Sequence, residues 1–144
     1  MSIIFRYSHI QREDGSLRKA PYIPIYAKTS SGRLMKLPAL IDSGADFTVL
    51  TKDLADLMGL KLGEKSETAG IGGGVNVRKA RFFFQIKGTH EKYSFNVPAL
   101  VLLDDEADVP ILLGRHGFFE EFHITFRQNE EKIVLKKIQP SVDY

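Results

Sequence analysis

The apolar runs of this 144-residue chain are short, and each is closed by turn chemistry. Tyr22–Ala27, Leu34–Ile41, Phe47–Leu50, Arg78–Ile86, Lys92–Val97, Leu100–Leu103 and Val109–Leu113 are aliphatic, aromatic or β-branched. Such runs read as strands, and none approaches the ~20 residues that span a bilayer as a helix. Ser30–Gly32, Gly88 and the acidic stretch Asp104–Asp108 are the breaks between them, and Pro24 marks its strand as an edge. The Gly-rich stretch Thr68–Val77 reads as a hairpin tip. The period changes over Thr51–Gly59. There Thr51 can cap, Leu54, Leu57 and Met58 share a helical face, and Gly59 can end the helix after about two turns. Gly114–Phe122 reads as a second short helix, and Ile124–Phe126 with Lys132–Leu135 as a hairpin around Gln128–Glu130. Many short strands with one or two short helices imply a closed, mainly β domain. One domain is expected over 1–144, with its core at about 22–138 and an arm or edge strand over 1–21.

Composition narrows the function classes. Hydrophobic residues make up 43% of the chain, enough to build a core. The formal charge of +2 comes from scattered Lys and Arg, which disfavours a nucleic-acid partner. Cysteine is absent, so disulfides and thiolate metal sites are excluded. The first ten residues lack the apolar core of a signal peptide. The expectation is a soluble cytoplasmic protein, or one excised from a larger intracellular polyprotein, with no membrane partner.

Within this pattern one residue is out of place. Asp42 follows the apolar Ala39-Leu40-Ile41 and is followed at once by Ser43-Gly44-Ala45. A carboxylate leaving a buried strand is costly unless something pairs with it. Two further features accompany it: the glycine loop Ala69–Val77, and Ile111-Leu112-Leu113-Gly114-Arg115, an apolar run closed by Gly-Arg.

In this order the three features resemble the retropepsins, the retroviral-type aspartic proteases and their cellular and bacterial relatives. The likeness runs over roughly Tyr22–Phe122. It implies a closed, single-lobed barrel acting as a homodimer, with no cofactor and no metal, and an aspartic endopeptidase activity on extended peptides. It assigns catalysis to Asp42, active-site support to Ser43, Gly44 and Arg115, and substrate contacts to Gly44, Ala45, Asp46 and the flap residues Gly70, Ile71, Gly72 and Gly73. Ser43 is expected to bond across the dimer, and Arg115 to hold Asp46. The chain carries one Asp-Ser/Thr-Gly, so the resemblance implies that the second carboxylate is Asp42 of another copy. The tail beyond Phe122 is longer than in retroviral members and is more like the cellular and bacterial ones.

Plainer readings stand beside this one. Asp-Ser-Gly is ordinary turn chemistry, and Gly70–Gly74 fits a plain hairpin. That loop is neither a P-loop, since no Gly-Lys-Ser/Thr follows, nor a dinucleotide fingerprint, since Val75 stands where the third glycine belongs. Asp105-Glu106-Ala107-Asp108 spells a helicase motif in a chain too short for a helicase and reads as a solvated loop. His9, His90, His116 and His123 lack metal-ligand spacing. Ser43 lacks the elbow of a serine nucleophile, and Arg115 has the plainer reading of a surface charge at a helix start, its pairing with Asp46 being favoured by the resemblance and not by spacing. Phe82–Phe84 reads as core packing. The alternative functions are a non-cleaving retropepsin-fold module for peptide binding or dimerisation, and a small nucleic-acid-binding barrel that the low charge disfavours.

Overall fold

The computed structural model describes residues 2–70, 73–104 and 109–139. In chain order the strands are β1 (Ser2–Arg6), β2 (Ser8–Gln11), β3 (Leu17–Ala20), β4 (Tyr22–Lys28), β5 (Leu34–Ile41), β6 (Thr48–Thr51), β7 (Lys65–Gly70), β8 (Gly73–Lys87), β9 (Lys92–Leu102), β10 (Ile111–Leu113), β11 (Phe122–Arg127) and β12 (Lys132–Lys137). One α-helix, α1 (Lys52–Leu57), follows β6. Seven strands form one sheet in the order β4-β5-β10-β6-β9-β8-β7. The bridge Tyr26↔Gln85 joins β4 back to β8, which closes six of them into a barrel and leaves β7 as the outer arm of a hairpin. β1, β12 and β11 make a separate three-stranded sheet, and β2–β3 is a hairpin of its own. The fold class expected from the sequence is the one observed. No helix among the described residues is long and apolar enough to cross a membrane.

Side-chain alternation explains the barrel's interior. Along β8, Val77, Ala80, Phe82, Phe84 and Ile86 are buried. Phe83 stands between two of them and is 60% exposed, because neighbouring residues of a strand point to opposite faces. The reading of Phe82–Phe84 as a core stripe is therefore corrected at its middle residue. Phe84, Phe95, Phe118 and Phe122 form the aromatic centre, with ring centroids 5.0 Å apart for Phe84–Phe95 and 5.5 Å for Phe118–Phe122. Fully burying one such side chain is worth about 1.5–3 kcal/mol.

The helix forms where its signals lie. The Thr51 hydroxyl accepts the Leu54 amide, and Gly59 takes φ 64°, as a helix stop requires. Its inner face matches the expected one at Met58, which is buried, and at Leu54, which packs against the core, but Leu57 is 44% exposed and Ala55 is buried instead. The second expected helix is absent. After Gly114 the chain makes turns and a short 3-10 segment, Phe119–Glu121. Gly117 explains this, because its φ of 83° cannot continue an α-helix and a Cβ there would stand 2.8 Å from Val97.

The two runs expected at Lys92–Val97 and Leu100–Leu103 are one continuous strand, β9. Pro98 falls one residue before the parallel ladder to β6 begins at Ala99, where its missing N–H is no cost to that ladder. At the N-terminus, β1 is an edge strand running antiparallel to β12 from Ser2↔Lys136 to Arg6↔Lys132.

Candidate active site

The Asp42 turn is built by three strands. β10 lies between β5 and β6, parallel to β5 (Ile111↔Ala39 to Leu113↔Ile41) and antiparallel to β6 at Leu112↔Val49. The chain leaving β5 must therefore loop over the end of β10 to reach β6. Asp42 starts that loop. Its amide donates to the Leu113 carbonyl at 3.1 Å, and its own carbonyl accepts the Ala45 amide at 3.3 Å. The half-buried carboxylate is held from below, because Oδ1 accepts the Gly44 amide at 2.9 Å. A Cβ on Gly44 would stand 3.3 Å from that same oxygen, so a side chain would crowd the carboxylate.

The far side of the loop is tied to the segment after β10. The Arg115 amide donates to the Ala45 carbonyl and the His116 amide to the Asp46 carbonyl, both at 2.9 Å. The Arg115 guanidinium also forms an ion pair with the Asp46 carboxylate, and both side chains are more than half exposed. Such a pair fixes geometry more than it adds stability.

Gly114 is the tightest point. A Cβ there would lie 2.4 Å from the carbonyl carbon and oxygen of Phe47, so only glycine lets the two segments pass. Its amide donates at 3.3 Å to the hydroxyl of Thr48, a side chain with 0% exposure. A buried donor left without a partner would cost about 1–3 kcal/mol.

Thus Asp42, Gly44, Ala45, Asp46 and Arg115 are brought into one hydrogen-bonded turn, and Ser43 sits exposed within it. Gly70 and Gly73 face each other at the end of the β7–β8 ladder. Ile71 and Gly72 lie outside the described residues, as does the Asp105–Asp108 motif. Among the described residues no group of three or more metal-ligating side chains occurs.

Three neighbours escaped the sequence reading. Thr48 carried no signal beyond its β-branched place in a strand. Phe47 and His116 stack with ring centroids 4.9 Å apart beside the Asp46–Arg115 pair. Their adjacency to Asp46 and Arg115 in sequence was the available clue.

A family model described as aspartyl protease matches residues 29–116, which include the Asp42 turn, the β7–β8 hairpin and Arg115. No curated protein sequence matches the chain. Among solved structures, the chain is similar to a retropepsin-like aspartic protease from Rickettsia conorii, at 22% identity over 94% of this chain and 90% of that one, with a TM-score of 0.54. It is also similar to the protease of EIAV complexed with an inhibitor, at 24% identity over 68% of this chain and 84% of that one, with a TM-score of 0.48. The Rickettsia likeness is one of fold, and it identifies the barrel as retropepsin-like.

Proposed function

The chain belongs to the aspartyl protease family and is an aspartic endopeptidase; on that premise we propose that it acts as a homodimer in which Asp42 of one protomer meets Asp42 of the partner subunit across a twofold axis. The observation that carries this reading is the Asp42 carboxylate itself, half-buried at the end of β5, with one oxygen engaged by the Gly44 amide. The chain has a single Asp-Ser/Thr-Gly, so its twin comes from a second copy, and a twofold contact pairs a residue with itself.

The chemistry follows from charge repulsion. Two carboxylates ~3 Å apart cannot both ionise, so the pair holds one shared proton, as in aspartic proteases generally. The ionised member takes a proton from a water whose oxygen attacks the scissile carbonyl carbon. The protonated member hydrogen-bonds the carbonyl oxygen as charge develops on it. Return of a proton to the amide nitrogen breaks the C–N bond and restores the single-proton state. That state titrates as a property of the pair.

The remaining roles belong to the same proposal. Gly44 and Ala45 leave room for the substrate backbone, and Asp46, oriented by Arg115, receives its polar groups. Ser43 bonds to the partner loop. The hairpin residues Gly70, Ile71, Gly72 and Gly73 close over the peptide, which lies in the cleft as an added strand.

The test is a mixed peptide library at mildly acidic pH, read by mass spectrometry. Wild type should cleave and Asp42→Asn should not, with both equally folded by thermal unfolding. Equal cleavage by the two proteins would remove Asp42 from the reaction. Silence of both, with a formed dimer, would favour the non-cleaving module.

A further inference from the structure

The outer face of the β8–β9 ladder carries a second concave surface. Strand alternation puts Lys79, Arg81 and Phe83 on this face, and the antiparallel register sets Leu100, Pro98 and Asn96 opposite them. The segment 58–63, leaving α1, crosses in front as a wall. It is fastened where the Gly63 amide donates to the Lys79 carbonyl at 2.7 Å and where Arg78 Nε donates to the Gly63 carbonyl at 3.0 Å. Between wall and floor lies a groove of about 790 Å³.

The groove's chemistry is one-sided. Leu60, Leu62, Phe83 and Leu100 give it an apolar lining, and Phe83 is 60% exposed there. Its charged lining residues are Lys61, Lys79 and Arg81, with no carboxylate among the described residues that line it. Arg81 is turned to neutral acceptors, donating to the Asn96 side chain at 2.9 Å and the Asn96 carbonyl at 2.8 Å. Lys61 and Lys79 form no ion pair among the described residues. An apolar lining interspersed with cationic side chains complements a peptide segment that combines aromatic or aliphatic side chains with Asp and Glu.

The groove's position says which peptide. Its lining includes Phe47, the residue directly after Asp46 of the catalytic turn. The turn and the groove thus share a border at Phe47, which lets a chain leaving the Asp42 cleft on that side continue into the groove. We propose that the groove is a docking exosite for the substrate's own acidic and apolar segment, several residues from the scissile bond. This rests on the protease reading, and it adds a specificity element outside the cleft. Docking there raises the effective concentration of the scissile segment at Asp42, so it acts on KM rather than on the chemical step.

Two measurements separate this proposal from the protease reading. The first is binding, made in the Asp42→Asn background so that no cleavage is needed. A fluorescein-labelled decapeptide alternating Glu with Phe and Leu is the probe, and its Lys-for-Glu counterpart is the control. The acidic probe should bind, and the basic one should not. Lys61→Glu with Lys79→Glu should weaken binding about tenfold, and added salt should do likewise, because both charges are exposed and screened. Phe83→Ser should weaken it without loss of fold, since Phe83 is mostly exposed. Unchanged binding in the double variant overturns the exosite.

The second measurement is the library digest with the active enzyme. Wild-type cleavage products should be enriched in Asp and Glu at distal positions on either side of the cut, because a twofold dimer presents one groove at each end of the cleft. Lys61→Glu with Lys79→Glu should erase that enrichment and raise KM with kcat preserved. Distal enrichment that survives the double variant overturns the proposal. Groove binding without any cleavage would instead sink the protease reading and leave the groove standing.

Discussion

The Asp42 turn and the β7–β8 hairpin are the floor and the cover of the proposed cleft, and they are held in opposite ways. The turn is fixed from several directions at once. β10 lies between its two arms, the Leu113 carbonyl takes the Asp42 amide, and the Thr48 hydroxyl takes the Gly114 amide. The hairpin, by contrast, extends beyond the barrel on its own ladder, with β7 paired to β8 alone among the described strands. Its anchors are at the root, where Gly63 and Glu64 bond to Lys79 and the Leu103 amide donates to the Asn76 carbonyl. An element held by many buried contacts opens only with global unfolding, whereas one held by a peripheral ladder opens locally. A water-activating carboxylate needs the first kind of support, and a cover that must admit a peptide needs the second.

Substitutions sharpen this contrast, and the largest effect is on chemistry. Asp42→Asn is expected to lower cleavage by at least about 10²- to 10⁴-fold, measured as kcat/KM on any cleaved library peptide, with the thermal midpoint nearly unchanged. Gly114→Ala is expected to cost about 1–3 kcal/mol or more in denaturant unfolding, and to abolish cleavage, because its Cβ would strike the Phe47 backbone. Thr48→Val should cost about 1–3 kcal/mol by stranding the Gly114 amide. On the hairpin, Asn76→Ala should stay within about 0.5 kcal/mol, since its side chain is exposed. A hairpin as sensitive as the floor would break the comparison.

The smallest effect concerns pH. The Ser16 hydroxyl, followed by the Ser16 amide, holds the Asp14 carboxyl below the ordinary carboxylate range at the turn between β2 and β3. A depressed value means the turn is supported above the unfolded carboxyl's range, and the support is lost as pH falls through the folded value. Amide exchange at Ser16, corrected for intrinsic rates, should show faster local opening in strong acid. Asp14→Ala should remove that pH dependence.

Much of this architecture was legible because its signals are local. Leu34–Ile41 ends where β5 ends, and Thr51 and Gly59 bracket the helix as their capping chemistry requires. Phe47–Leu50 is offset from β6 by one residue. The failures share a cause, which is tertiary context overriding a local pattern. Lys92–Val97 and Leu100–Leu103 read as two runs, but Pro98 between them is absorbed into β9 just before its second ladder begins. Gly114–Phe122 reads as a short helix, but the left-handed Gly117 redirects it against Val97. Leu57 looked like an inner-face residue, yet the smaller Ala55 fits against the barrel instead.

The site divides in the same way. Asp42, Gly44, Asp46 and Arg115 were legible as a pattern of residue types, and the turn brings them together. Thr48 was not, because a buried hydroxyl satisfied by an amide 66 positions away leaves no trace in its neighbours. The pairing of β1 with β12 was hidden for the same reason, since it joins the two ends of the chain.

The pairing of two Asp42 carboxylates is tested most directly by mixing subunits. Wild-type and Asp42→Asn chains, unfolded together and refolded at fixed total concentration in varying ratio, would populate both pure dimers and the mixed one. If one carboxylate from each protomer is required, activity falls as the square of the wild-type fraction. A fall in simple proportion to that fraction would mean that each chain cuts alone, and would contradict the shared site.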